Sequence, residues 1–200
     1  MELNMLTRAD CIVIAPTVAT PDDVILLLAT RLKAAGRIAD RELYLRSVRE
    51  REAEGPTALG EELAVPHGKS PAVLSASFAL AILPEAINWP GLEGDEPVRL
   101  VFLLAIPPAE AGSTHMQLLT TLTSRLTDDL CRQQLMAATS PEHVFELLSA
   151  TEDAAPPESH QAVGCDVKAQ QKPGWLTPFL LAGISLAAVV MAALDWAGLH

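Results

Sequence analysis

The segment EAEGPTALGEELAVPHG, residues 52–68, decides how this chain is read. It ends in a short apolar strand, Leu63-Ala64-Val65, that runs through Pro66 into His67 and Gly68. A proline disfavours the helical conformation of the residue before it, so Val65 is held extended. Gly68 carries no Cβ, which on sequence grounds leaves open space beside the His67 ring for a bulky reactant. The histidine is therefore expected at an exposed strand end. There neutral imidazole is a competent nucleophile near pH 7, and its attack on phosphorus yields a phosphoramidate that can be passed on again. A phosphoryl carrier also needs donors for the phosphoryl oxygens. The candidates are His115 in THMQLL, Arg51 at the end of a charged helix, and Thr57 just after it.

Upstream of this segment lie two helices. Thr20-Pro21-Asp22-Asp23 offers an N-cap, a proline in the first turn and early acids, and Val24, Leu27, Leu28, Ala29 and Leu32 recur at helical spacing until Gly36. From Asp40 a second helix sets Leu43, Leu45 and Val48 among charges and stops at Gly55-Pro56. Before both, CIVIA reads as a short strand over residues 10–15.

Downstream, residues 75–83 and 98–106 are apolar enough to be central strands, separated by a turn-rich insert, NWPGLEGDEP. Residues 114–126 read as a helix with Leu118, Leu119, Leu122 and Leu126 on one stripe, and shorter helices start at Asp128 and Ser140. Strands interleaved with helices predict an α/β class over residues 1–150. No internal repeat is visible.

Composition narrows the function. Two hundred residues, 50% of them hydrophobic, suffice for one core plus an appendage. A formal net charge of −11 repels phosphate backbones and anionic headgroups, so nucleic acid is not an expected partner. The cysteines Cys11, Cys131 and Cys165 form no C-x-x-C pair, which points away from a zinc ribbon or redox dithiol and towards a reducing, cytosolic setting. The first residues carry no secretory signal. No phosphate-cradling glycine loop, dinucleotide turn or H-E-x-x-H helix occurs, so no cofactor and no metal is expected.

After Ala150 the character changes. Residues 151–173 have little apolar periodicity and three prolines, and read as a flexible linker. Within residues 174–200, the stretch 175–194 is uncharged and mostly apolar, preceded by Lys168 and Lys172 and closed by Asp195. That length spans a bilayer, and the lysines keep its N-terminal side inside. The expectation is a cytoplasmic domain tethered to the inner face of the cell membrane. The bland alternative is a hydrophobic helix packed on the domain.

The segment 52–68 also resembles the phosphorylation-site signature of type-2 enzyme IIA domains, the fructose/mannitol family of the bacterial phosphoenolpyruvate-dependent sugar phosphotransferase system. That signature is an acid, six residues, L-G, two residues, then L-A-V-P-H-G, and every position is filled here. His67 falls on its phosphorylated histidine, Arg51-Glu52 on its upstream Arg-Glu pair, and His115 in THMQLL on its second histidine. GPTALGEELAVPHGK and LLAIPPAEAGSTHMQLLTTLTSRL are most similar to the enzyme IIA part of fructose-like permeases, the mannosylglycerate permease among them.

The resemblance runs over residues 6–150 and implies a mixed β-sheet flanked by helices. It further implies a relay from phosphoenolpyruvate through enzyme I and a histidine-containing phosphocarrier protein to His67, then to a cysteine of an enzyme IIB domain, with an enzyme IIC permease beyond. His115 would hydrogen-bond the transferring phosphoryl group, Arg51 would supply nearby positive charge, and Thr57 would line the site. Cys165 lacks the loop of an enzyme IIB phosphocysteine and is given no such role. A regulatory module, in which phosphorylation of the same histidine changes affinity for a partner without sugar transport, is the competing reading. A metal or structural site on His67 and His115 has no evident third ligand and ranks last.

Overall fold

The structure, a computed structural model, describes residues 3–110, 113–126 and 128–149. The expected linker and membrane segment, residues 151–200, lie outside the described residues. Among the described residues no helix is long and apolar enough to cross a membrane. In chain order the elements are β1 (Ile12–Ile14), α1 (Pro21–Ala34), α2 (Arg41–Glu54), β2 (Leu63–Ala64), β3 (His67–Lys69), β4 (Ser77–Gly91), β5 (Gly94–Ile106), α3 (Ser113–Leu126), α4 (Asp129–Ala137) and α5 (Pro141–Ser149).

The sheet runs β1-β4-β5-β2, with β3 also pairing β5. The central pair β4 and β5 is antiparallel, while β1 joins β4, and β2 and β3 join β5, in parallel. The expected α/β class with a mixed sheet is what forms. Each central strand is apolar on both faces because both faces are covered. Ala79, Ala81 and Leu83 of β4 with Val101, Leu103 and Ala105 of β5 share a core with Val24, Leu28, Leu32, Tyr44, Leu45 and Val48. Phe78, Leu80 and Ile82 with Leu100, Phe102 and Leu104 pack on the other side with Leu122, Leu126, Leu135, Val144 and Leu148. Period-two alternation thus sorts one strand's residues between two helical layers. The alanines of the two central strands, Ala79, Ala81 and Ala105, face α1 and α2, while the phenylalanines Phe78 and Phe102 face α3 to α5.

Local signals place the helix starts. Thr20 and Asp23 form a reciprocal capping box at α1, and the Asp40 carboxylate accepts from Leu43 N at 3.0 Å at α2. Leu43 itself faces solvent at 37% exposure, and Tyr44 fills the core position beside Leu45 and Val48. The first strand is shorter than expected, because Ala9–Cys11 is a 3₁₀ turn.

The turn-rich insert is the larger correction. Residues 88–97 are not a loop but the far half of the β4–β5 hairpin, paired from Ile87↔Val98 to Gly91↔Gly94 beyond a register shift after Ile82. Pro90 and Pro97 misled the reading, since prolines argue against a strand interior. Here each sits in the arm beyond the five-stranded region, opposite Asp95 and Asn88. Ile87 and the fully buried Trp89 anchor the arm to the core on the α1–α2 side.

Candidate functional site

His67 opens β3 opposite Leu104 of β5, the strand that precedes α3. Its position is set from both sides of the chain. Leu104 N donates to Pro66 O at 3.0 Å, and Val65 N donates to Thr57 O at 3.0 Å, so the proline-extended segment is tied to the sheet and to the end of the α2 loop. The ring is 8% exposed, more enclosed than a strand-end histidine was expected to be.

The ring's two nitrogens meet partners of opposite kind. Nδ1 lies 3.0 Å from Val65 O, which can only accept, so Nδ1 carries the proton. Arg51 Nε lies 3.0 Å from Nε2 and can only donate, so Nε2 presents its lone pair. This pair of contacts selects one tautomer, with the Nε2 lone pair turned to the Arg51 guanidinium. Arg51 is held in turn by Nη1 donating to Gly55 O at 3.0 Å.

Gly68 does not leave space for a reactant. A Cβ there would lie 2.6 Å from Ser47 Oγ, 2.7 Å from Val48 Cγ2 and 3.1 Å from Tyr44 Cε2. The glycine lets α2 approach β3 closely, and that approach brings Arg51 within reach of His67. Tyr44 completes the seam by donating its hydroxyl to Leu104 O at 2.8 Å. Burial holds that phenol well above the usual tyrosine range, so it stays a donor.

Thr57 is buried, and its hydroxyl donates to Glu52 Oε1 at 2.7 Å. The other carboxylate oxygen accepts from Trp89 Nε1 at 3.3 Å. Burial pushes the Glu52 carboxyl above the ordinary glutamate range, while the Thr57 and Trp89 hydrogen bonds and the Arg51 charge pull the other way. Glu52 received no role from the sequence beyond its place in the signature, and Trp89 none at all. The signal for Trp89 was the Ile87-x-Trp89 alternation inside a stretch read as a turn. His115 lies in the first turn of α3, which follows the strand beside His67 after a 3₁₀ turn at Pro108–Glu110; its side chain is outside the described residues.

The turn between Thr57 and His67 has a backbone of its own. Gly60, Glu61 and Glu62 all have positive φ, of 77°, 52° and 59°. For the two glutamates this left-handed conformation is unfavourable. Outside contacts maintain it: Glu96 accepts from Gly60 N at 2.9 Å, and the buried Arg132 of α4 donates to Glu61 at 2.9 Å. Arg99 N and Leu100 N both donate to Glu62 O. Neither described cysteine competes with His67 as a nucleophile near neutral pH. Burial, followed by Asp10, pushes the Cys11 thiol up to about 11, and burial raises that of Cys131.

A histidine held as one tautomer against an arginine suits phosphoryl capture. Residues 5–151 match the sequence model of the family described as phosphoenolpyruvate-dependent sugar phosphotransferase system, EIIA 2. The chain belongs to this family. It is similar to the 2-O-α-mannosyl-D-glycerate-specific EIIABC component of Escherichia coli, 51% identical over 76% of this chain and 23% of that protein. It is also similar to the fructose-specific EIIA component of Haloferax volcanii, 30% identical over 74% of this chain and 95% of that one. The chain thus spans under a quarter of the first relative and nearly all of the second. Among solved structures, the mannitol enzyme IIA of Escherichia coli, in complex with phosphorylated enzyme IIB, superposes with a TM-score of 0.60. That likeness covers 71% of this chain and 96% of that one at 30% identity. As a type-2 EIIA domain this protein is a phosphotransferase component, a phosphoryl carrier of a sugar phosphotransferase system.

Proposed function

We propose that this EIIA domain takes phosphate onto His67 Nε2 from a histidine-containing phosphocarrier protein and passes it to a cysteine of an enzyme IIB domain, for coupled sugar uptake and phosphorylation through an enzyme IIC permease. The observation that carries the reading is the pair of contacts on the His67 ring, with Val65 O accepting from Nδ1 and Arg51 facing Nε2. In the forward step the Nε2 lone pair forms the new N–P bond while the donor's N–P bond breaks, and that bond's electron pair returns to the donor imidazole. The proton stays on Nδ1, hydrogen-bonded to Val65 O, and that acceptor stabilises the positive charge that develops on the ring. In the second step a thiolate attacks the same phosphorus and the electron pair returns to Nε2.

Arg51 would move from Nε2 to the phosphoryl oxygens, where a guanidinium forms stronger, charge-assisted hydrogen bonds. His115, on the first turn of α3, would donate to the same oxygens. Thr57 would line the site while its hydroxyl holds Glu52. The enzyme IIB acceptor is supported by the mannitol complex and by the fused EIIABC relative. A purely regulatory role is less supported, since the 51% identical relative is named for a sugar system.

The whole chain would then comprise the EIIA domain over residues 1–150, a linker over 151–173, and a membrane anchor within 174–200 that keeps the domain at the inner face. Membrane fractionation with and without residues 175–200 tests the anchor, and an unchanged soluble fraction removes it. The relay itself is tested by incubation with phosphoenolpyruvate, enzyme I and the histidine carrier protein, followed by intact mass. An acid-labile phosphate gain lost in His67→Ala is expected; no gain on a folded protein with an active carrier overturns the proposal.

A further inference from the structure

The far half of the β4–β5 hairpin ends at the site. Trp89 is buried on its inner side and donates its indole N–H to Glu52 Oε2 at 3.3 Å, while Thr57 donates to Oε1 at 2.7 Å. From Thr57 the contacts continue through the main chain: Val65 N donates to Thr57 O at 3.0 Å, and Val65 O faces His67 Nδ1 at 3.0 Å. From Glu52 in the other direction, its chain neighbour Arg51 donates to His67 Nε2 at 3.0 Å. The two routes meet at the imidazole and form a closed ring of hydrogen bonds, Arg51-Glu52, Thr57, Val65, His67 and back to Arg51. Trp89 fastens that ring to the hairpin.

Electrostatics does not explain Glu52. A partly buried carboxylate next to Arg51 opposes the charge of an arriving phosphoryl group and offsets the cation that should attract it. Acceptor geometry does explain it. Two donors, an O–H and an N–H, arrive at its two oxygens, and only a carboxylate accepts on both; an amide in its place turns an NH₂ group towards one of them.

We infer that Glu52, clamped between Thr57 and Trp89, is a positioning residue for phosphoryl transfer at His67. It joins the last turn of α2 to the segment that carries the histidine, and so keeps Arg51 beside Nε2, within reach of an incoming phosphoryl group, and the Val65 carbonyl on Nδ1. The purpose of the clamp rests on the carrier role proposed for His67. The clamp's effect on the imidazole is observable without any phosphoryl transfer.

The test uses the full chain with Glu52→Gln, Thr57→Val, Thr57→Ser and Trp89→Phe, each checked for folding by circular dichroism. Nitrogen-15 NMR of the His67 ring reports the tautomer. Phosphate uptake from the phosphorylated histidine carrier protein is resolved into maximal rate and donor KM. Expected for Glu52→Gln and Thr57→Val is a His67 ring that averages between tautomers, with the maximal rate down on the order of tenfold and donor KM nearly unchanged. Thr57→Ser, which keeps the hydroxyl, restores both readouts, and Trp89→Phe falls between. A loss of fold alone would move stability without this split and without rescue by serine. Should Glu52→Gln not fold, the Thr57 pair decides.

A wild-type tautomer and rate in Thr57→Val overturn the inference while leaving the carrier reading intact. A tautomer that follows the variants in a protein that takes up no phosphate overturns the carrier reading, and with it the purpose assigned to the clamp, while leaving the ring of hydrogen bonds.

Discussion

The two ends of α2 are built on different logic. At its start the helix is closed from within: Asp40 caps Leu43 N three residues on, just as Thr20 and Asp23 close α1. At its finish Arg51 closes the helix end through Gly55 O four residues on, yet the last turn also reaches far along the chain. Arg51 reaches His67 sixteen residues away, and Glu52 reaches Trp89 thirty-seven residues away. One end is a local solution to unsatisfied backbone donors. The other exists only once β3 and the hairpin have come together. Stability should therefore depend on the first end, and phosphoryl chemistry on the second.

That contrast is broken or sharpened by substitution. The largest effect is expected at the functional end, where Arg51→Ala should lower the rate of phosphate uptake by about two orders of magnitude, since removal of one charge-stabilising donor typically costs 10²–10³-fold. Urea denaturation should find its stability little changed, and a large stability loss instead would dissolve the contrast.

Gly68→Ala comes next, at about 1–3 kcal/mol of destabilisation from forcing a methyl against Ser47 and Val48. Adding Ser47→Ala, which removes the nearer clashing oxygen, should recover part of it. Full stability in the single variant would mean that α2 is not held close to β3 by the missing Cβ. At the structural end, Asp40→Ala should cost about 1 kcal/mol in denaturant unfolding and leave the transfer rate unchanged.

A pH series separates the buried carboxyl of Glu52 from an exposed one. Burial raises the Glu52 carboxyl above its unfolded-state value, so its favourable contribution is fully present below the unfolded pKa and is lost as pH rises through the folded one. Wild type should therefore lose stability relative to Glu52→Gln as pH rises from the ordinary carboxylate range towards neutrality. The Arg49–Asp22 pair between α1 and α2 has the opposite sign. The Arg49 hydrogen bond lowers the Asp22 carboxyl, so the stability it adds is present above the unfolded value and lost as pH falls. Both side chains are about half exposed, so Asp22→Asn should cost only a few tenths of a kcal/mol, screened by salt. A parallel pH trend in the two variants would contradict the assigned causes.

Much of the fold was legible because its signals are short-range. The caps at Thr20, Asp40 and Asp128, the stop at Gly55 and the apolar runs that became β4 and β5 act within a few residues of themselves. The hairpin's far half was misread because Pro90, Pro97, Gly91 and Gly94 signal turns locally, whereas pairing across the arm and the burial of Trp89 outweigh them. Gly68 was misread for a related reason. A missing Cβ looks the same in sequence whether the space is left for a ligand or filled by a helix.

By itself the sequence determined that residues 52–68 end in a histidine carried on a proline-extended segment, that helices alternate with buried strands around it, and which residues belong to its signature. These are properties of neighbours along the chain, encoded by periodicity, capping and the restrictions of proline. Tertiary structure decided which ring nitrogen accepts from Arg51, that Thr57 and Trp89 converge on Glu52, and that a left-handed turn through Glu61 and Glu62 is held by Arg132 and the sheet. Those outcomes depend on donors and acceptors brought to about 3 Å from distant parts of the chain, and no local preference encodes a contact that only packing creates.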